Sequence, residues 1–352
     1  MIESFNFTLI KYFMPTAPNN LHNQSSAFIS SLKGNRYPLR KTNTSKKPSC
    51  LLVNPNIVAK ELIKKTAFNQ KYTYNIWSGP MDNKLIKYLK KNTYNYIVID
   101  KWISDDAIMH FLDLVRFHDV NNGKIINIIS FYEKITYCSP MMYMNDYSEN
   151  NPDDLVIRPD KKLLFIKRFI DISVSIMVMP VAVPVMLLAF IATKLSSSGP
   201  VLFKQKRVGL YGKIFTIYKI RTMVHNPAGY NAPTVKGDAR ITRIGKILRK
   251  TKVDEFPQFL NVLKGDMSLI GPRPEKKDIV DRFEAENIFY QYRHIVKPGI
   301  TGWAQVNYPT ATPEQNLEKL EYDLYYINNI SFKLEFEIIL KTAGVITTLD
   351  SL

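Results

Sequence analysis

ISVSIMVMPVAVPVMLLAFIAT, residues 172–193, is a run of 22 residues without a charge, and its reading decides the fold. A hydrocarbon core about 30 Å thick takes roughly 20 helical residues to cross, so the length suffices for a span. Two features argue against a simple crossing. Pro180 and Pro184 stand mid-segment, where each removes a backbone donor and predicts a sharp break. Cations flank both ends: Arg158, Lys161, Lys162, Lys167 and Arg168 precede the run, and Lys194, Lys204, Lys206, Arg207 and Lys213 follow it. Lys and Arg accumulate on the cytoplasmic side of a membrane, which assigns both ends to that side. A helix over about residues 163–195 that breaks at Pro180 and Pro184 and re-enters its own side meets both conditions. The plainer alternatives are a kinked spanning helix and the core helix of a soluble protein.

Upstream, short apolar runs alternate with helical stretches. Residues 51–53, 72–77, 96–99 and 125–129 read as buried strands, and the pattern predicts a doubly wound, Rossmann-like α/β domain over residues 50–144. Its best helix starts at Ser104, an N-cap followed by Asp105 and Asp106, with Ile108, Phe111, Leu112 and Val115 on one face. No Gly-rich fingerprint follows any of these strands, so the fold by itself carries no activity; a regulatory or docking role is the modest reading. Residues 1–49, dense in Asn, Ser, Lys and Pro, read as a flexible basic leader without a signal peptide, and the polar, acidic stretch 145–160 as a linker.

Downstream lies the chemistry, in residues 161–352. Residues 199–209 and 215–223 alternate cations with apolar residues and contribute Lys219 and Arg221, a positive surface suited to a lipid phosphate or a nucleotide diphosphate or simply to anionic lipid. Residues 240–250 place Ile241, Ile244 and Leu248 on one helical face, with Arg249 among the cations around it. Then come Asp254 and Glu255. Pro257 is tolerated only in a first turn, so a helix carrying Phe259, Leu260 and Leu263 begins within a few residues of the pair. One carboxylate there could attack while the other holds a divalent cation; capping the helix is the ordinary role of such a pair. Two prolines fix a loop around Arg273, whose planar fork suits a diphosphate. A second Gly-rich loop, residues 297–307, offers Trp303, Gln305 and Asn307 as base or sugar contacts.

The bulk numbers bound these readings. A length of 352 residues implies two domains. The excess of 48 Lys and Arg over 31 Asp and Glu attracts phosphates of any origin. A nucleic-acid binder would leave the uncharged segment unexplained, so nucleic acid is not an expected partner. Cys50 and Cys138 form no metal or disulfide pattern, and His22, His110, His118, His225 and His294 have no ligand spacing, so any metal would be a hard cation on oxygens.

Taken in order, the blocks resemble the bacterial sugar transferase family, the monotopic polyprenyl-phosphate phosphoglycosyltransferases. They are Lys167-Arg168 with Asp171, Gly199-Pro200-Val201-Leu202-Phe203, Lys219 with Arg221-Thr222-Met223, Arg240-Ile241-Thr242, Asp254-Glu255 before Pro257-Gln258, Gly265-Asp266-Met267-Ser268, Gly271-Pro272-Arg273-Pro274, and the run from Pro298-Gly299 to Gln305-Val306. The resemblance implies an α/β N-terminal Rossmann-like domain plus a C-terminal, mostly helical, membrane-associated catalytic domain with a re-entrant helix. It implies that Asp254 takes up the sugar-bearing phosphate of a UDP-sugar with release of UMP, and that a polyprenyl phosphate then accepts it. Glu255 would hold Mg²⁺, and Lys219, Arg221, Arg249 and Arg273 would bind phosphate oxygens. The expected setting is the cytoplasmic face of a bacterial inner membrane, feeding exopolysaccharide, capsule, O-antigen or other glycan assembly, with a homodimer left open. Two departures stand out: Val183-Pro184 where the family commonly has Ser-Pro, and Tyr308-Pro309 where many members have Gly-Arg. A non-catalytic membrane scaffold is the competing expectation.

Overall fold

A computed structural model describes residues 47–55, 60, 72–100, 105–118, 123–141, 144, 159–224, 238–309 and 315–348. Residues 1–46 of the leader, the Ser104 cap, the linker up to residue 158, His22 and His225 lie outside them; the leader's last residue, Ser49, opens the first strand.

The first strands are β1 (Ser49–Val53) and β2 (Thr73–Trp77), followed by helix α1 (Asn83–Lys91), β3 (Tyr96–Ile99), α2 (Asp105–Phe117), β4 (Lys124–Asn127) and α3 (Ile128–Thr136). All three strand pairings are parallel, in the order β2-β1-β3-β4. Side chains alternate across a strand, so Leu51, Val53, Ile97 and Ile99 pack on one side with Leu85, Ile86, Leu89 and Phe111 of α1 and α2. Cys50, Leu52 and Val98 face the other side with Phe131, Tyr132 and Ile135 of α3. A sheet buried on both faces needs the near-continuous apolar runs seen in the sequence. One expectation is corrected: the fourth strand stops at Asn127 instead of running to residue 129, because the Asn127 side chain accepts the Ser130 N–H at 2.8 Å and caps α3. The order 2-1-3-4 differs from the 3-2-1-4 run of the dinucleotide-binding fold and follows the other common doubly wound order, so the doubly wound layering is as expected and the Rossmann strand order is not present.

Helix α4 (Lys161–Ser196) contains the whole uncharged segment. It is helical straight through Pro180 and Pro184, which corrects the expected interruption. The two prolines remove the donors that would meet the Ile176 and Pro180 carbonyls, but they lie four residues apart and both are exposed. A ring clash on that side bends a helix toward its opposite face without ending it. That opposite face is a buried stripe through Lys167, Asp171, Ser175, Ala182, Met186, Ala189 and Thr193. The outward face is apolar: Phe165, Phe169, Met177, Val181, Leu188 and Leu195 are each more than two-thirds exposed. Only 22% of the helix's most apolar 18-residue window is buried, unlike the core helix of a soluble protein.

Several of the elements that follow pack against α4. Strands β5 (Leu202–Val208) and β6 (Ile214–Ile220) form an antiparallel hairpin, then come α5 (Arg243–Lys250), a 3-10 turn (Val253–Glu255), α6 (Gln258–Lys264), β7 (Ser268–Ile270), α7 (Lys277–Glu286), β8 (Gly299–Thr301), α8 (Trp303–Asn307), α9 (Asn316–Asn328) and α10 (Phe332–Thr348). Ala182, Met186 and Ala189 meet Ile220 and Leu248. The amino-terminal half of α4 is held by charge instead. Lys167 pairs with Glu335 at 2.6 Å, Arg168 donates to the Val262 and Leu263 carbonyls at the end of α6 at 2.6 and 3.0 Å, and Asp171 accepts the Leu269 N–H at 3.1 Å. Removing one partner of such a buried pair costs about 3–5 kcal/mol.

The two halves of the chain share one core. Phe131, Tyr132 and Ile135 belong to the same cluster as Trp303, Leu324 and Ile338. Ser139 donates its N–H to the Glu321 carbonyl at 2.9 Å. Glu133 accepts from the Ser139 hydroxyl at 2.6 Å and from the Asn329 amide at 3.3 Å. Burial raises the Glu133 pKa, and those two donors partly offset the rise.

Candidate active site

The acidic pair stands just ahead of α6, as expected. Lys252, in the left-handed region at φ 56°, turns the chain out of α5. Asp254 and Glu255 follow on the 3-10 turn, and α6 begins at Gln258 with Pro257 as its N-cap, so the proline stays out of the helix interior as expected. The β5–β6 hairpin lies alongside, tied to α6 by Asn261, whose amide donates to the Thr216 carbonyl at 2.7 Å and accepts the Tyr218 N–H at 3.3 Å. Lys219 on β6 thereby reaches Glu255, Nζ to Oε1, at 2.7 Å.

Arg273 approaches the same oxygen, Nη2 to Oε1, at 3.6 Å. Its loop is held from below by a parallel ladder between β7 and β8. Gly271 donates to the Thr301 carbonyl at 2.9 Å and Gly299 to the Pro272 carbonyl at 3.0 Å. A Cβ at Gly271 would lie 2.4 Å from the Lys297 carbonyl oxygen, so only glycine lets the two motif loops touch. Two further arginines fix the loop. Arg293 donates to the Arg273 carbonyl at 3.1 Å while paired with Asp323 at 2.8 Å; Arg207 donates to the Pro274 carbonyl and to Glu275, both at 3.2 Å. Arg293, Asp323 and Glu275 had no motif to draw notice, because each acts on a loop distant in sequence.

The two carboxylates are driven in opposite directions. For Asp254, burial and then the neighbouring Glu255 raise the pKa to about 6, against the partial pull of Lys219, Lys252 and Arg249. Burial would raise Glu255 as well, but Lys219 and Arg273 outweigh it and bring the group down to about 2. Glu255 is thus favoured in its charged form and held in place by Lys219. Asp254 carries a buried Oδ1 with no hydrogen-bond partner among the described residues. An ionised, poorly solvated carboxylate beside fixed cations suits nucleophilic attack on an anionic phosphate. Helix capping, the ordinary role, would require its oxygens to meet backbone N–H groups, and no side-chain cap exists at this turn or at α6.

The other expected site residues divide. Arg249 stands near Asp254 and donates Nε to the Thr222 hydroxyl at 2.9 Å. Arg221 turns to the end of α4, donating Nη2 to the Ser197 carbonyl and hydroxyl at 2.7 and 2.9 Å. The expectation for Trp303 is corrected. Its side chain is 1% exposed, its indole donates to the Tyr137 carbonyl at 2.8 Å, and Lys341 lies 4.1 Å from the ring centre. No face remains for a base, because the ring is packed between Tyr137, Tyr325 and that lysine. Gln305 donates to the Ile300 carbonyl at 3.0 Å and Asn307 to the Trp303 carbonyl at 2.8 Å, with Lys341 on its oxygen. All three serve the loop and the domain junction in this structure, and the acidic pair is grouped with Lys219, Arg273 and Arg249 instead.

Among the described residues no cluster of three or more Asp, Glu, His or Cys surrounds a metal position. Mg²⁺ needs less, since it commonly sits on one or two carboxylates and completes its shell with water and substrate phosphates. The unpartnered Asp254 oxygen beside Glu255 fits that donor set.

Comparison with known proteins follows the same half of the chain. The sequence profile described as bacterial sugar transferase matches residues 162–348, just over half of the chain. A UDP-N-acetylgalactosamine-undecaprenyl-phosphate N-acetylgalactosaminephosphotransferase of Aeromonas hydrophila is 48% identical over 192 residues, covering 54% of this chain and 45% of the relative. A UDP-glucose:undecaprenyl-phosphate glucose-1-phosphate transferase of Xanthomonas campestris pv. campestris is 46% identical over 165 residues, 46% of this chain and 34% of its own. An uncharacterized sugar transferase of Bacillus subtilis (strain 168) is 39% identical over 179 residues and matched across 86% of its length. This chain spans less than half the length of the first two.

Proposed function

This chain belongs to the bacterial sugar transferase family, and on that footing we propose that it moves a sugar 1-phosphate from a UDP-sugar to a polyprenyl phosphate through a phosphosugar carried on Asp254. The observation that carries the proposal is the divided pair: a buried Asp254 oxygen without a partner, next to a Glu255 pinned by Lys219 and Arg273. In the first step an Asp254 oxygen bonds to the sugar-bearing phosphorus, and the bond from that phosphorus to the bridging oxygen breaks. UMP leaves with the electron pair. In the second, an oxygen of the polyprenyl phosphate bonds to the same phosphorus, the acyl-phosphate bond breaks, and the Asp254 carboxylate is restored.

Lys219, Arg273 and Arg249 bring positive charge to the reacting phosphates, where fixed donors act most strongly. Arg273 is half exposed, so it can engage phosphate without first losing Glu255. Glu255, with Asp254, would hold Mg²⁺, which when bound lowers the repulsion between an anionic nucleophile and an anionic substrate. Glu255 also keeps Lys219 directed at the site.

The proposal includes a monotopic placement on the cytoplasmic face, with α4 dipping into one leaflet and returning. Supporting it, the buried stripe of α4 runs from Lys167 to Thr193, about 39 Å at 1.5 Å per residue. That exceeds the roughly 30 Å of a hydrocarbon core, yet one body covers the stripe from end to end. A straight transbilayer helix would be surrounded by lipid over most of that length. An impermeant thiol label should reach cysteines placed on both flanks from one side of the membrane; opposite-side labelling would refute the placement.

The activity test is UMP release from a panel of UDP-sugars with undecaprenyl phosphate. The relatives differ in donor, N-acetylgalactosamine in one and glucose in another, so both belong in the panel. Lipid-dependent UMP release that disappears in Asp254→Asn is the expected result. Full activity in that variant would defeat the proposal.

A further inference from the structure

Among the described residues, several buried or partly buried cations meet a carboxylate: Lys167 has Glu335, Arg207 has Glu275, Lys219 has Glu255 and Arg293 has Asp323. Arg221 is 3% exposed and has no carboxylate within ion-pairing distance among the described residues. Its Nη2 is occupied by Ser197, the residue that ends α4, but Nε and Nη1 are buried without any partner. A second unmet group lies one helical turn from the residue that Arg221 holds. Thr193, 2% exposed, lies one turn before Ser197 on the same helix face, and its hydroxyl also has no partner. Buried, unmet donors cost about 1–3 kcal/mol each and more when charged, so two free donors of one guanidinium, with an unmet hydroxyl one turn from its Ser197 partner, mark a place for an anion.

The surroundings select which anion. The site lies at the end of a helix whose outer face is apolar to its last turn, with Leu187, Leu188, Ile191 and Leu195 all more than half exposed. A phosphate held there would carry its hydrocarbon chain along those side chains. On the inner side, Thr222 follows Arg221 directly and takes the Nε of Arg249, whose charge acts on Asp254. We propose that Arg221 and Thr193 form the subsite for the phosphate monoester of the polyprenyl acceptor, distinct from the Lys219–Glu255–Arg273 group that meets the nucleotide sugar. An entering phosphate takes the two unmet guanidinium donors and the Thr193 hydroxyl, with the chain lying on Leu188, Ile191 and Leu195. This assignment rests on the two-step reaction proposed above.

That reaction separates the two phosphates experimentally. With a UDP-sugar accepted in the panel and no acceptor present, the full-length protein in detergent releases one burst of UMP, which reports the nucleotide side alone. Arg221→Lys keeps the charge and loses the fixed donors. Its burst should stay within about twofold of the parent, while KM for polyprenyl phosphate rises roughly tenfold to a hundredfold, the loss of one charge-assisted hydrogen bond. A lost burst with unchanged acceptor KM would reassign Arg221 to the nucleotide phosphates and overturn the proposal, as would a variant unaltered in both. Should Arg221→Lys fail to fold, Thr193→Val carries the test: an intact burst with raised acceptor KM supports the subsite, and an unchanged acceptor KM overturns it. Absence of UMP in every arm of the parent protein would instead refute the reaction itself.

Discussion

Replacing Asp254 by asparagine should stabilise the protein while abolishing its turnover, and the size of the gain follows from the site. Burial and Glu255 raise the Asp254 pKa to about 6 from an ordinary 3.8. Between those values the folded state binds more protons than the unfolded one, so stability falls as pH rises through the window and the full penalty is present above about pH 6. Roughly two pH units at 1.36 kcal/mol each give about 3 kcal/mol. Asparagine keeps the shape and removes the charge, but its new N–H must be accommodated, which returns about 1 kcal/mol. The net expectation at pH 8 is a gain of about 1–3 kcal/mol, several degrees in midpoint for a catalytic region of this size. Thermal unfolding of parent and variant in the same detergent, at one scan rate because such unfolding is commonly irreversible, measures it. The difference should shrink as pH falls from about 6 toward 4. A carboxylate that merely capped a helix would behave oppositely, since its pKa would be lowered and its loss destabilising at pH 8. An asparagine variant that melts lower than the parent at pH 8, or by an offset independent of pH, would refute the reasoning.

Three other outcomes are expected. The rate of UMP release in the absence of acceptor should fall about tenfold per pH unit below about pH 6, as Asp254 gains its proton; a flat profile from pH 7 to 5 would argue that another group attacks. Lys219→Met leaves Glu255 buried beside Arg273 alone, so activity should drop at least a hundredfold and stability by about 3 kcal/mol, read from UMP release and from the melting midpoint at pH 8. Trp303→Phe loses the indole bond to the Tyr137 carbonyl and should cost about 1 kcal/mol of stability with KM for the UDP-sugar unchanged; a strongly raised donor KM would restore the tryptophan to the substrate.

Much of the architecture was legible because it depends on local pattern. Apolar runs such as 51–53 and 96–99 announced a buried parallel sheet, and Pro257 announced that a helix starts within a few residues of the acidic pair. The long apolar helix was legible from its lack of charge. Its passage through two prolines was not, because the outcome depends on which face they occupy, and that is set by packing against β6 and α5. The acidic pair was visible as residues and ambiguous as chemistry: capping and catalysis share one sequence, and only the approach of Lys219 from another strand separates Asp254 from Glu255. Trp303 was misread for a related reason. Its partner, Tyr137, lies 166 positions earlier, and nothing near either residue reveals the pairing.

That pairing bears on how such chains can be recombined. Residues 137–139 turn out of the α/β layer and supply the carbonyl for Trp303 and the N–H for Glu321, so the front domain is a wall of the rear one. An exchange of front domains between relatives, cut in the polar stretch after residue 144, would import a foreign wall along with the domain. The graft should take only where the donor presents a ring and a carbonyl in register with this indole. The natural unit of exchange is therefore the α/β layer without its last turn.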